Sequence, residues 1–434
     1  MHGPGHNQRY AASESWLARA ERSIPLGSQT FSKSRTQLPI GASPLFAERG
    51  EGPVLIDIDG NRYIDYVCSL GAITLGYNDP DVNAAVVAQA QKAVIMSLAG
   101  REETLLAEKI IDLIPCAEGV RFGKNGSDAT AGCVRIARAH TRRDLVAVCG
   151  YHGWQDWYIG STARHLGVPD STREMTKKFT YNDIDSVTAL FRAHPGEIAA
   201  LILEPVAFEE PRDDFLHKLK DVAHANGALL IFDEVVTGFR FPGGSAQAMT
   251  GVTPDLAAIG KGMANGFPIS AVVGRAELMK LMEEVFFSFT MGGELVSIAA
   301  AMATLDKGRE KKVYDQLASV GQVLLVGVRD LIARHGLAET LSIVGQPSWQ
   351  LIVMKDHASA SSFDLKTLFI QECMRRGVFA IGIHFLSYAH TLDHVRQTLA
   401  AYDEVFAILA DALKANDLRR RLDCEPLVPL FKVR

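Results

Sequence analysis

Ala228-Leu229-Leu230-Ile231-Phe232-Asp233-Glu234-Val235 is an unbroken apolar run that ends on two acids. A short run with no polar alternation suits a strand buried on both faces, and such strands belong to parallel sheets covered by helices on each side. Further runs of the same kind lie on both sides of it: Gly119–Phe122, Leu145–Cys149, Ala199–Leu203, Leu256–Ile259 and Ile269–Val273. Helical stretches separate most of them. The alternation predicts an α/β fold with a mostly parallel sheet flanked by helices. In open sheets of this type ligands sit beyond the carboxyl ends of the strands. The chemistry is therefore to be sought just after each run.

The flanking segments read differently. An amphipathic stretch at Glu14–Ser23 precedes an irregular Ser/Gln/Thr-rich segment, Gly27 to Ser43. Apolar runs on either side of Asp59-Gly60 predict a β-hairpin. Asp79-Pro80-Asp81 caps a helix over Val82–Ser97, and a second helix spans Glu102–Leu113. Beyond Ser297 the pattern is mainly helical, with strand candidates at Leu341–Val344, Gln350–Val353 and Val378–Ile381. A chain of 434 residues exceeds what one core usually serves. The expected division is a large α/β domain over 76–308 and a smaller α+β domain built from both ends, 1–75 and 309–434.

Composition excludes several function classes. The net charge is -5 and the pI about 6.2, with 47% hydrophobic residues, 22% charged residues and a mean hydropathy of +0.07. The densest basic group, Arg419-Arg420-Arg421, reads as a solvated helix end rather than a nucleic-acid patch. The apolar runs are too short to span a bilayer, and Met1 to Tyr10 lacks the apolar stretch of a secretory signal. Six cysteines, none in a C-x-x-C pair and most among apolar neighbours, read as reduced core residues, so a cytoplasmic setting is expected. No nucleic acid, membrane or metal enters the expectation.

Four strand ends carry candidate chemistry. Asp233 is an acid at the mouth of the crevice, where desolvation calls for a cationic or protonated partner; a helix cap or surface acid explains it equally well on position alone. Lys261 stands between two glycines after Leu256–Ile259, where a ligand can approach the backbone and a buried lysine can form a Schiff base with a carbonyl. By itself it reads as a surface lysine in a glycine turn. Gly123-Lys124-Asn125-Gly126-Ser127-Asp128-Ala129 opens a helix over Asp128–Ala139, and small residues there leave N–H groups for a phosphate. The plain alternative is a capped helix with Ser127 as N-cap. Tyr151-His152-Gly153-Trp154 follows Leu145–Cys149 and supplies an aromatic that can stack on a planar ring or simply pack. Taken jointly, these features ask for one ligand with a phosphate, a flat ring, a basic ring atom and an aldehyde. Pyridoxal phosphate (PLP) meets that description.

At these residues the chain resembles the class III aminotransferases of fold type I, and among them glutamate-1-semialdehyde 2,1-aminomutase-like proteins. The likeness runs from about Ser43 to Leu409 and rests on ordered matches. They include Asp57-Ile58-Asp59-Gly60, Asn125-Gly126-Ser127-Asp128-Ala129, Tyr151-His152-Gly153, Leu203-Glu204-Pro205, Asp233-Glu234-Val235 and Gly260-Lys261-Gly262. The resemblance implies a PLP-dependent enzyme in which Lys261 holds the cofactor covalently and shuttles the proton. Asp233 would keep the ring nitrogen protonated, Tyr151 and Val235 would cover the two ring faces, and Glu204 would lie near the ring edge with His152 close by. Gly126 and Ser127 would hold the phosphate, and Thr290 would reach the phosphate of a neighbouring subunit, which implies a homodimer with shared sites.

The departures lie on the substrate side. An arginine expected near the start is missing from Gly27-Ser28-Gln29-Thr30-Phe31-Ser32-Lys33-Ser34. The family's Ser-Gly-Asn-Pro is replaced by Met291-Gly292-Gly293-Glu294, and His384 stands near a shortened C-terminal segment. These changes favour transfer of an amino group from an amino acid such as glutamate to a separate small aldehyde or ketone, with the aminomutase as the alternative. Ser28, Glu294 and His384 are the substrate candidates, and the polarity of Ser28, Gln29, Thr30, Glu294 and His384 suggests a sugar-type acceptor.

Overall fold

A computed structural model describes residues 8–428. The chain divides into two compact units. One holds Gly71–Thr74 and Pro80–Asp315; the other holds the N-terminal part up to Leu70, Leu75–Asp79 and the part from Gln316 onward. The break after Asp315 falls inside the helix Val313–Arg334, a few residues beyond the boundary expected at 308.

The larger unit is built on seven strands in the order Gly119–Gly123, Ser270–Gly274, Leu256–Ile259, Leu229–Glu234, Ile198–Leu203, Leu145–Cys149, Thr176–Lys178. All neighbouring pairs are parallel except those of Ser270–Gly274, which runs antiparallel to both of its partners. The central strands Ile198–Leu203 and Leu229–Glu234 are buried at every position. This is why they carry no polar alternation: each face meets a helix layer, and each fully buried Leu, Ile or Val contributes roughly 1.5–3 kcal/mol. The helix Gly126–Thr141 lays Ala129, Cys133, Val134, Ile136 and Ala137 into a core shared with Val146, Ile202, Ile231, Ala258 and Val272.

Three local readings differ from the structure. The helix expected over Val82–Ser97 spans only Pro80–Ala90. Val94 then gives its carbonyl to the N–H of Leu295, and Ile95, Met96 and Leu98 stand exposed. The strand Thr176–Lys178 was not foreseen, because edge strands are short and carry lysines that blunt further pairing. The helix after Gly119–Gly123 starts at Gly126 with Asn125 as its N-cap, so Ser127 lies inside the first turn.

The smaller unit joins both chain ends in one sheet, ordered Ala47–Glu51, Val54–Asp57, Arg62–Asp65, Val378–Phe379, with Val378 opposite Ile64 in parallel register. The hairpin at Asp59-Gly60 is present. A second sheet pairs Leu341–Gln346, Trp349–Met354 and Ile383–Phe385. The helix Val313–Arg334 is, by length and composition, apolar enough to cross a membrane. However, Leu317, Val320, Leu324, Val328, Leu331 and Ile332 are buried at helical spacing, the stripe of a core helix. At the C-terminal end, Arg419 pairs with Asp364, and Arg421 pairs with Asp411 and Asp417.

His384, a substrate candidate, belongs to the core of this unit. It is fully buried with Nε2 2.6 Å from the Tyr402 hydroxyl, edge-on to Tyr66, and His390 stacks on the same Tyr66 ring. Burial holds both imidazoles neutral and lowers each to about 3 from the ordinary 6.5. The unfolded chain therefore binds protons between pH 6.5 and about 3 that the folded chain refuses. The stabilisation present above 6.5 is lost as pH falls through that window. By pH 5 the loss amounts to about 2 kcal/mol per histidine. Thermal midpoints at pH 7 and pH 5 test this; a His384→Gln variant whose pH dependence is as steep as the parent's would refute it.

Candidate active site

The strand ends converge as the sheet topology requires. A cavity of about 340 Å³ is walled by Gly126, Ser127, Tyr151, His152, Glu204, Asp233, Val235 and Lys261, each of them singled out from the sequence. All of its lining residues lie in the larger unit. It also draws in Lys124, Trp154 and Phe267, for which no role was read from the sequence.

Asp233 is the penultimate residue of the strand Leu229–Glu234 and is 5% exposed. Its Oδ1 accepts the N–H of Val235 at 3.1 Å and its Oδ2 lies 2.8 Å from His152 Nδ1. His152 Nε2 lies 3.1 Å from the Cys149 carbonyl, which can only accept, so that nitrogen carries a proton. The contact with His152 and the Val235 N–H together hold the carboxyl group at the cavity wall. The even choice between surface acid and crevice acid is settled by position: Asp233 is buried and lines the cavity.

Lys261 follows Leu256–Ile259 in a left-handed conformation, φ 40°. A non-glycine residue there costs about 1–2 kcal/mol, a strain that clusters at functional sites. Of the two flanking glycines, Gly262 is required by close approach, whereas a Cβ on Gly260 would make only ordinary contact, 3.4 Å from Ser270 Cβ. A Cβ on Gly262 would meet Thr74 Oγ1 at 2.6 Å. Lys261 is half-buried in the cavity wall and is not a surface lysine.

The loop before the helix Gly126–Thr141 is fixed by Asp128. Asp128 Oδ2 accepts the N–H groups of Asn125 at 2.7 Å and Lys124 at 3.2 Å, and Ser270 Oγ donates to the Asn125 carbonyl at 2.7 Å. The Asn-x-x-Asp spacing was visible in the sequence; the Ser270 brace was not, because it lies 145 positions away. The first N–H groups of a helix have no acceptor within it, and Gly126 and Ser127 place theirs at the cavity. Gly126 is required by close approach, since a Cβ would fall 2.6 Å from Val235 Cγ1. Glu204, buried, accepts the Tyr151 N–H at 3.1 Å and so sets the turn that presents the Tyr151 ring.

The remaining candidates stand apart from the cavity lining. Thr290 is exposed in a segment with Phe286, Phe289 and Met291. Glu294 caps the helix Leu295–Glu310 and pairs with Lys124. Ser28 and His384 belong to the other unit, and His384 is core.

The donor set fits PLP. A helix N-terminus is available for a phosphate, a buried acid for a protonated ring nitrogen, an aromatic and a branched aliphatic for the ring faces, and a half-buried lysine for the aldehyde. Comparison with known proteins agrees. The aminotransferase class-III family matches residues 38–409. A glutamate-1-semialdehyde 2,1-aminomutase from Roseiflexus castenholzii is 37% identical over 93% of this chain and 97% of its own. A 3-aminobutyryl-CoA aminotransferase from Cloacimonas acidaminovorans is 32% identical over 92% and 97%. The PLP form of the FumI protein of Sphingopyxis sp. MTA144 superposes with a TM-score of 0.86 at 32% identity, covering 93% of this chain and 97% of that one. The expected fold and cofactor are thereby borne out, and the chain belongs to the PLP-dependent class-III aminotransferases.

Proposed function

We propose that the protein transfers an amino group from an amino acid donor, such as glutamate, to a separate small aldehyde or ketone. The convergence of Lys261, Asp233, Tyr151 and the Gly126–Ser127 turn on one cavity carries this reading. Lys261 would hold the cofactor covalently and act as the base that takes up and returns the proton of the donor carbon. Asp233, held by His152 and Val235, would face the ring nitrogen and favour its protonated form. Tyr151 and Val235 would cover the ring, and the Gly126 and Ser127 amides would hold the phosphate. PLP supplies the electron sink that lets this proton leave carbon.

Two of the five residues that suggested a polyhydroxylated acceptor are committed elsewhere, Glu294 to Lys124 and a helix cap and His384 to the core. The reading therefore keeps the small carbonyl acceptor without its sugar character. Intramolecular transfer is the second reading, favoured by the 37% identity to the aminomutase. Both are tested by mixing the holoprotein with α-amino acids, β-amino acids and glutamate-1-semialdehyde while following the cofactor's visible band. Conversion by glutamate, reversed by added aldehydes or ketones, is expected. Turnover of glutamate-1-semialdehyde alone would overturn the intermolecular reading.

The proposal includes a homodimer in a reducing cytoplasm. Exposed Ile95, Met96, Leu98, Phe286, Phe289 and Met291 supply an apolar surface beside Thr290, and all six cysteines are free. Sedimentation of the holoprotein as a monomer would sink the shared-site reading.

A further inference from the structure

The cavity wall holds a second lysine besides Lys261. Lys124 stands immediately before Asn125, the N-cap of the cradle helix, and lines the cavity. Its Nζ donates to Glu294 Oε2 at 3.0 Å, with the two side chains only 15% and 12% exposed. Glu294 is not free to swing away. Its Oε1 accepts the Val296 N–H at 2.7 Å and its Oε2 the Ser297 N–H at 3.2 Å, which together cap the helix Leu295–Glu310. Burial raises the Glu294 carboxyl, but hydrogen bonds from Ser297 and Lys124 outweigh it and hold the group ionised.

A fixed carboxylate thus sits one lysine side chain from a turn that offers its amides to phosphate. A bound phosphate ester carries close to two negative charges. Like charges at this range in a partly desolvated site oppose each other. We infer that Lys124 is a charge-balancing positioning residue: by neutralising Glu294, it lets the cradle hold the cofactor phosphate while Glu294 still caps its helix. This rests on Gly126 and Ser127 being the phosphate cradle.

The arrangement has an asymmetric signature. Lys124→Met leaves an unbalanced carboxylate beside the phosphate, whereas Glu294→Gln keeps a capping oxygen and removes the repulsion. The dissociation constants of PLP and of pyridoxal, which lacks the phosphate, are to be measured on the apoprotein and its variants. The expected results are a rise of at least tenfold for PLP in Lys124→Met, little change or tightening in Glu294→Gln, and recovery of most of the loss in the double variant. Lys124→Arg should bind as the parent does, and pyridoxal affinity should be constant throughout. Lys124→Gln serves if the methionine variant fails to fold. Equal losses in both single variants, extending to pyridoxal and unrelieved in the double variant, mark a purely structural ion pair and overturn the proposal. Equal affinity of the parent for PLP and pyridoxal removes the cradle reading itself, and the proposal with it.

Discussion

Lys261→Ala is expected to abolish turnover, by about 10⁴-fold or more, and to remove the visible band of the covalently held cofactor. The loss is large because one side chain performs two tasks. In the proposed reaction it would both hold the cofactor covalently and serve as the base that moves the proton. Other titratable groups line the cavity, but His152 is bound on both nitrogens, to Asp233 and the Cys149 carbonyl, and Glu204 holds the Tyr151 amide. Neither is free to take over the shuttle. The substitution should not harm the fold, since Lys261 is half-buried in a cavity wall and its left-handed backbone suits alanine no worse than lysine. The check is the absorbance spectrum and single-turnover rate beside the thermal midpoint. A retained band, or activity within tenfold of the parent, would remove Lys261 from the mechanism.

Asp233→Asn is expected to lower kcat by about 10²–10⁴-fold while the protein stays folded and still binds cofactor. Removing one preorganised group that stabilises charge in the transition state costs about 10²–10³-fold in kcat, and acid–base roles reach about 10⁴-fold, which sets that range. An amide is nearly isosteric and can keep the Val235 contact through its oxygen, but it brings no negative charge. The ring nitrogen would then lose the anion proposed to keep it protonated, and His152 would lose its carboxylate partner. The two effects act on one quantity, the ability to draw electrons from the donor carbon. Steady-state kcat and the pH dependence of the bound cofactor's absorbance both report it. A loss below threefold with an unaltered titration would show that Asp233 acts only in packing.

The large sheet was legible because double-sided burial leaves a direct imprint on sequence. Leu229–Glu234 and Ile198–Leu203 face helices on both sides, so every position had to be apolar until the strand reached the crevice. The short helix Pro80–Ala90 and the edge strand Thr176–Lys178 left no such imprint. Their limits are set by distant pairings, Leu295 with Val94 and Val146 opposite Thr176. The C-terminal strand pairing with Arg62–Asp65 is equally non-local.

The same distinction runs through the site. The sequence by itself determined the cofactor-side constellation, because each of its members must sit at a strand's carboxyl end and those ends can be read from local hydrophobicity. Singly, Lys261, Asp233, Tyr151 and Gly126 each had an ordinary explanation; their shared place just after apolar strands, taken jointly, and the family resemblance singled them out. Only the tertiary structure decided which polar residues serve substrate and which serve the scaffold. Nothing local distinguishes a rim histidine from His384, whose burial depends on Tyr66 and Tyr402. Nothing local shows that Glu294 is bound to Lys124, 170 positions earlier. Burial and charge pairing are properties of the packed chain, so their outcome appears only when distant segments meet.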